Sequence, residues 1–176
     1  MVTGFEVTDL QPAWVNGFLH DHDAIYLCEP RGIGGTQWTR KHPPNTVARS
    51  HYLLGRTVDS GRIWDIAATA RYLRVLHKQQ LPVHIVGETN SAVLAIYAAL
   101  LEPEIAGLIL REPPTSHMDA SAPALLNVLR VCDVPEALGM VAPRPVTLIT
   151  QQGERFPKAS AVYAAAGAAD KLVLRK

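Results

Sequence analysis

The fold is decided by the stretch Leu81-Pro-Val-His-Ile-Val-Gly-Glu-Thr-Asn-Ser-Ala-Val-Leu-Ala-Ile-Tyr-Ala-Ala-Leu-Leu101. Its first half, residues 83–86, has the pattern of a buried strand, whereas from Ser91 the apolar residues recur at helical spacing. The corner between the halves, residues 87–91, therefore predicts a strand that turns directly into a helix. Such a corner presents a side chain at the end of a sheet, which makes Thr89 a candidate functional residue.

Strands and helices alternate on both sides of this stretch. The other predicted strands are 4–8, 24–28, 105–110, 145–150 and 171–175. The predicted helices are 13–19, 46–54, a longer one from Asp59 or Ser60 with the apolar stripe Ile63, Ile66, Ala70 and Leu73, then 91–101, 125–129, 135–140 and 160–166. This alternation predicts an α/β fold with three αβα layers, in which both faces of a mostly parallel sheet are covered. We expect about six strands in the order 2-1-3-4-5-6, with any ligand bound beside strand 83–86.

Composition narrows the function classes. The chain has 176 residues, 17 basic and 16 acidic, and a formal charge of +1, so we expect one domain and neither a nucleic acid nor a membrane as partner. We find no signal peptide or transmembrane segment, and the compartment stays undecided. Cys28 and Cys132 are expected to be buried thiols. Nothing in the sequence predicts a cofactor.

Four segments together resemble the α/β-hydrolase superfamily, within it most of all the acetyl xylan esterase and prolyl oligopeptidase-like branch. They are Pro30-Arg-Gly-Ile-Gly-Gly-Thr36, Trp64-Asp-Ile66, Val86-Gly-Glu-Thr-Asn-Ser91 and Leu138-Gly-Met-Val-Ala-Pro-Arg-Pro-Val146. The resemblance implies that residues 1–176 form a single domain that corresponds to the later strands of that fold. It also implies a fragment or module of a larger protein.

The resemblance assigns candidate catalytic positions. Thr89 stands where the family has the serine of Gly-x-Ser-x-Gly, and Ser91 stands in place of the second glycine. The backbone amide of Asn90 would be one oxyanion donor, and Glu154 would be the acidic residue. The family's general base is a histidine beyond the last strand, where this sequence ends, so His117 is the candidate for a displaced base.

Other polar residues near the corner have structural interpretations as well. Ser91 is expected to bond free amides at the helix start, and Glu88 to be a solvated carboxylate that could act as a general acid or base. Arg31 and Gly32, in the loop after strand 24–28, are further candidates for binding a ligand, as are Glu88 and Ser91. The structural interpretation of Arg31 is that it bonds the carbonyls of strand ends. Trp38 is expected to pack over helix 46–54.

Two further runs of residues resemble ligand-binding motifs but lack residues that those motifs require. The run His20-Asp-His-Asp23 has no additional ligands at useful spacing, so we predict no metal site. The run Gly32-Ile-Gly-Gly35 has Gln37 where a dinucleotide-binding motif needs its third glycine.

Three hypotheses remain. The first is a catalytically degenerate α/β-hydrolase-like module that serves structure, contact with a companion catalytic domain, or binding of a carbohydrate ester without cleavage. The second is a carboxylic ester hydrolase whose base is His117 or comes from another chain. The third is a flavodoxin-like binder of a small phosphorylated ligand. We also expect an apolar sheet edge near residues 24–28 to favour self-association as a homo-oligomer.

Overall fold

The computed structural model describes residues 13–39 and 44–176. Four strands form one parallel sheet in the order β1-β2-β3-β4, and they are β1 Val83–Glu88, β2 Ile105–Arg111, β3 Val146–Ile149 and β4 Leu172–Arg175. The α-helices are α1 Pro44–Leu53, α2 Val58–Leu76, α3 Asn90–Leu101, α4 Val134–Gly139 and α5 Pro157–Ala165. Within the described ranges, none of the helices is both long and apolar enough to cross a membrane.

The sheet has four strands where the sequence predicted about six. The last four predicted strands are confirmed, as is their order. The predicted strand 24–28 is wrong, because this segment takes no part in the sheet. Its side chains contact α2 instead, where the Tyr26 hydroxyl lies 2.8 Å from His77 Nε2 and Cys28 Sγ lies 3.5 Å from Thr69 Oγ1. The predicted strand 4–8 lies outside the described residues.

The core lies on one face of the sheet. Alternate strand residues on this face pack against α2, α3, α4 and α5, and they are Val83, Ile85, Leu108, Leu110, Val146 and Leu148. The opposite face carries Val86, Ile109 and Ile149, which are exposed or half-buried. In the part of the chain that the structure describes, no α-helix packs on that face. The prediction that helices cover both faces of the sheet is therefore wrong for these residues. A short 3₁₀ helix, Ala13–Phe18, lies at its carboxyl edge.

Two predicted helices are wrong or shorter than expected. The segment 13–19 forms the six-residue 3₁₀ helix Ala13–Phe18 and no α-helix. The leucine-rich segment 125–129 contributes only to the 3₁₀ turn Val128–Arg130, because Asn127 has a φ of 59°, which a right-handed helix does not accommodate. Both cysteines are free and half-buried, less enclosed than predicted.

The longer predicted helix is confirmed as α2, and its cap explains where it begins. Thr57 Oγ1 accepts a hydrogen bond of 2.9 Å from the Ser60 amide, while the Thr57 amide donates to Ser60 Oγ at 3.1 Å. These reciprocal bonds satisfy two amides at the helix start. From the predicted stripe, Ile63 and Ala70 are buried.

Gly87 allows the chain to turn from β1 into α3. A Cβ on this residue would lie 2.7 Å from the Ser91 carbonyl oxygen and 2.8 Å from Ala92 Cα, which no side chain tolerates. Helix α3 therefore begins directly against the end of β1. Seven residues of α3 are buried, so this helix forms the centre of the core.

Arg144, from the Ala-Pro-Arg-Pro segment, holds the end of α3 to the sheet. Its Nη1 donates to the carbonyl oxygens of Ala99 at 2.8 Å and Glu102 at 3.3 Å. The Tyr163 hydroxyl donates to the Arg144 carbonyl at 2.7 Å, which ties α5 to the same point. Burial lowers the pKa of the Arg144 guanidinium, yet these carbonyls compensate part of its desolvation.

We predict that Arg144→Gln lowers the free energy of unfolding by about 2 kcal/mol, because it removes charge-assisted bonds and leaves half-buried carbonyls unpaired. Urea denaturation measures the change. The matched control is Arg130→Gln, since Arg130 is exposed, and it should change stability by less than about 0.5 kcal/mol. Equal midpoints for the two variants would contradict the role of Arg144.

Candidate functional site

The predicted strand-to-helix corner is confirmed, and Thr89 occupies it in a strained conformation. Its φ is 51° and its ψ is −117°, a combination that favours glycine and is unusual for a β-branched residue. The Thr89 amide donates to the Arg111 carbonyl at 2.8 Å, which joins the corner to the end of β2. The side chain is exposed. The corner therefore holds its side chain out at the carboxyl end of the sheet.

Ser91 fastens the corner differently from the prediction. Its Oγ accepts a hydrogen bond from the Glu88 amide and donates one to the Glu88 carbonyl, both at 2.8 Å. We expected it to bond free amides of the helix. The hydroxyl instead closes a ring with the last strand residue, which supports the positive φ of Thr89 between them.

Glu88 is half-buried and bonded on both carboxylate oxygens, while 39% of its side-chain surface stays exposed to solvent. Oε2 accepts a hydrogen bond of 3.2 Å from Trp14 Nε1, and Oε1 lies 3.3 Å from Arg111 Nη1. The Arg111 guanidinium lies 5.4 Å from the centre of the Trp14 ring. Each of the three groups thus contacts the other two, and the Glu88 carboxylate is held by an arginine and an indole.

His117, the candidate base, has partners on both ring nitrogens. Nδ1 lies 3.3 Å from the Pro123 carbonyl oxygen, which can only accept, so Nδ1 carries the proton. Nε2 then accepts from the Tyr97 hydroxyl at 2.9 Å. The His117 amide donates to Asp133 Oδ1 at 2.7 Å, which fixes the loop. Neither nitrogen is available to Thr89 in this arrangement.

The structure describes the side chain of one of the two remaining catalytic candidates, Asn90. Asn90 is half-buried, and its Nδ2 donates to the Ser121 carbonyl at 3.3 Å. Its backbone amide belongs to the first residue of α3. Glu154 lies in the 3₁₀ turn Gly153–Arg155 after β3, but its side chain is outside what the structure describes. Its role as the acidic residue stays a prediction.

Arg31 bonds a carboxylate on α2, where the sequence predicted strand carbonyls. Its Nε lies 2.8 Å and its backbone amide 3.0 Å from Asp65 Oδ2, and its Nη2 lies 2.6 Å from Oδ1. These bonds lower the pKa of Asp65 and raise that of Arg31. Gly32 has a φ of 75°, and a Cβ there would lie 2.4 Å from the Trp38 ring. Trp38 thus packs on Gly32, which is not the contact with helix 46–54 that we predicted.

The sequence did not predict Trp14 and Arg111, which surround Glu88, or Arg175 on the last strand. Arg111 and Arg175 each end an apolar strand, and the carboxyl ends of parallel strands lie at one edge of a sheet. That signal was available in the sequence. Trp14 gave none, because its position depends on how residues 13–18 cross the sheet.

Comparison with known proteins supports the fold alone. No family model matches the sequence, and no curated protein matches it. Among solved structures, the chain is similar to a crystal structure from Bacteroides fragilis whose assignment as an acetyl xylan esterase is itself provisional. The TM-score is 0.65 at 13% sequence identity, over 83% of this chain and 44% of that one. The chain thus spans less than half of that protein, and the similarity shows an esterase-like fold.

We predict that Thr89→Gly stabilises the protein by about 1 kcal/mol, because glycine adopts a positive φ without the clash of a branched Cβ. Thermal unfolding measures the change. Thr89→Ala is the control, since alanine lacks the branch but keeps Cβ. Its stability should lie between that of the parent protein and that of Thr89→Gly. A loss of stability in Thr89→Gly would show that Thr89 is not strained.

Asp133 caps α4 and fixes the His117 loop, so it should make stability depend on pH. Burial raises the pKa of Asp133, but hydrogen bonds from Ser116 and from the amides of His117 and Val134 outweigh it and lower the pKa below its usual value. A lowered folded-state pKa stabilises the protein above the unfolded value of about 4, and this stabilisation is lost as pH falls through the folded value.

We therefore predict that Asp133→Ala lowers the free energy of unfolding by about 1–2 kcal/mol at pH 7 and that this loss becomes smaller below about pH 4. Urea denaturation at several pH values measures it. Asp170→Ala, at an exposed site, is the control and should leave the pH profile unchanged. A cost for Asp133→Ala that does not vary with pH would contradict the assignment.

Proposed function

We propose that this chain is an α/β-hydrolase-like module that keeps the strand-to-helix corner but does not hydrolyse esters by itself. Its role would be to bind a carbohydrate ester without cleaving it, or to contact a companion catalytic domain. The observation that carries this proposal is the state of His117, whose two ring nitrogens are bonded to Tyr97 and Pro123.

A threonine hydroxyl attacks an ester only when a base removes its proton. The two candidate bases that the sequence predicted near the corner are both engaged, since Glu88 is held by Trp14 and Arg111 while His117 is held by Tyr97. The branched Cβ of Thr89 also crowds the corner. These contacts support loss of turnover while the corner itself persists.

Binding an ester without cleaving it requires hydrogen-bond donors at the corner but no base. The first amides of a helix have no acceptor within the helix, so those at the start of α3 can donate to the carbonyl oxygen of an ester. Thr89 is exposed beside them, and its hydroxyl can donate as well. An ester carbonyl could therefore be held at this corner even when no base completes the reaction.

The conformation of Thr89 favours a second candidate, a carboxylic ester hydrolase. A φ of 51° at the first residue before a helix is the geometry that exposes a nucleophile in this kind of corner. The base would come from another chain, or from His117 after it leaves Tyr97. The two candidates therefore differ in one respect, which is whether a base is supplied to Thr89.

We predict that the purified chain hydrolyses 4-nitrophenyl acetate no faster than its Thr89→Ala variant, as measured by the release of 4-nitrophenolate. Thr89→Ser tests the cause: a serine removes the crowding but supplies no base, so it should also be inactive. Mass spectrometry after treatment with an organophosphonate should find no adduct at Thr89.

Turnover that Thr89→Ala abolishes, or an adduct at Thr89, would replace the first candidate with the second. Activity gained only in Thr89→Ser would show that a base is within reach and that the branched side chain alone suppresses catalysis. His117→Gln, made in an active protein, would then identify the base, because glutamine keeps hydrogen-bonding groups but does not take up the proton.

A further inference from the structure

A row of side chains at the carboxyl edge of the sheet brings two arginines to either side of an apolar residue. Arg111 on β2 pairs with Ile149 on β3, which pairs with Arg175 on β4. Paired residues point to the same face of a sheet, and neighbouring strands are about 4.8 Å apart. The backbones of the two arginines are thus roughly 10 Å apart across Ile149. This row lies on the face opposite the core.

Each arginine contacts an aromatic ring of the 3₁₀ helix Ala13–Phe18. The Arg111 guanidinium lies 5.4 Å from the centre of the Trp14 ring, and the Arg175 guanidinium lies 5.1 Å from that of Phe18. Both pairs line an open cleft of about 300 Å³. The other lining residues are Glu112, Ile149, Gln151 and Lys176. A cleft of this size is at the lower end of those that hold small ligands.

The cleft carries excess positive charge. Among the side chains that the structure describes, which do not include that of Glu154, no carboxylate lies at ion-pair distance from Arg175. Arg111 shares Glu88 with Trp14. The carboxylate of the lining, Glu112, is bonded by the Thr150 hydroxyl at 3.0 Å and the Gln151 amide at 3.1 Å. Two guanidinium groups therefore face a small space whose acidic group is already satisfied.

We propose that this cleft binds a small organic anion, a carboxylate attached to a flat ring. A guanidinium binds a carboxylate through paired hydrogen bonds, which defines the charged end of the ligand. Ile149 and the edges of Trp14 and Phe18 offer apolar contacts to the ring. The site is separate from the hydroxyl of Thr89, so it holds whether or not the corner catalyses.

Benzoate is the probe, and the indole N–H signal of Trp14 in a ¹⁵N-labelled sample reports binding, with Trp14→Phe to assign that signal. Benzoate should shift the signal in a saturable way at millimolar concentration, and added salt should weaken binding. Benzamide has the same ring without the charge. It should bind at least about tenfold more weakly, as expected when a charge-assisted hydrogen bond is lost.

Arg175→Gln should weaken benzoate binding by about tenfold, whereas Arg175→Lys, which keeps the charge, should retain part of it. Arg49→Gln, at an exposed site on α1, and Thr89→Ala should bind as the parent does. The second control separates this site from the proposed function of the corner. Equal binding of benzoate and benzamide, or full affinity in Arg175→Gln, would overturn the proposal and leave the arginines as anchors for residues 13–18.

Discussion

The close approach of β1 and α3 at Gly87 is the constraint on which the rest of the structure depends. The backbone of Ser91 and Ala92 occupies the space of a Cβ at residue 87, so the helix begins directly against the strand. The Ser91 hydroxyl and the Thr89 amide then fix the corner to Glu88 and to the end of β2. Because α3 is almost wholly apolar, this fixed start directs its buried face into the core.

Polar tethers hold the other elements around that helix. Arg144 binds the carbonyls at the end of α3, and its own carbonyl accepts from Tyr163 on α5. Asp133 begins α4 and bonds the amide of His117 in the loop after β2. Each of these bonds satisfies a backbone group that the loops would otherwise leave unpaired. The bond from the His117 amide to Asp133 also holds in place the loop that carries His117.

The carboxyl edge of the sheet therefore has two parts with different chemistry. One is the corner, where Thr89 is exposed with a positive φ, while His117 is bonded to Tyr97 and Pro123. The other is the row that runs from Glu88 through Arg111 and Ile149 to Arg175. Trp14 donates to Glu88 and stacks with Arg111, so it links the two parts.

Several sequence predictions failed where apolar content alone was the signal. The run 24–28 has the composition of a strand, but its Tyr26 and Cys28 side chains reach α2 and its backbone forms no ladder. Most of its apolar side chains stay exposed, and composition does not reveal this, because it does not specify which apolar residues find a surface to pack on. The segment 125–129 has helical leucines, but the left-handed backbone of Asn127 interrupts it. Such a conformation depends on the neighbours of the loop, which lie far away in sequence.

The sequence by itself determined the four strands of the sheet, helices α2 and α3, and the corner at Thr89, because hydrophobic period and glycine sterics act over a few residues. The order of the strands followed from the alternation of strands and helices along the chain. It also determined which residue types stand at the corner. Only the tertiary structure decided their partners: Tyr97 for His117, Trp14 and Arg111 for Glu88, and Asp65 for Arg31. Hydrogen bonds and ion pairs form between groups brought together by folding, so the pattern along the chain does not specify them.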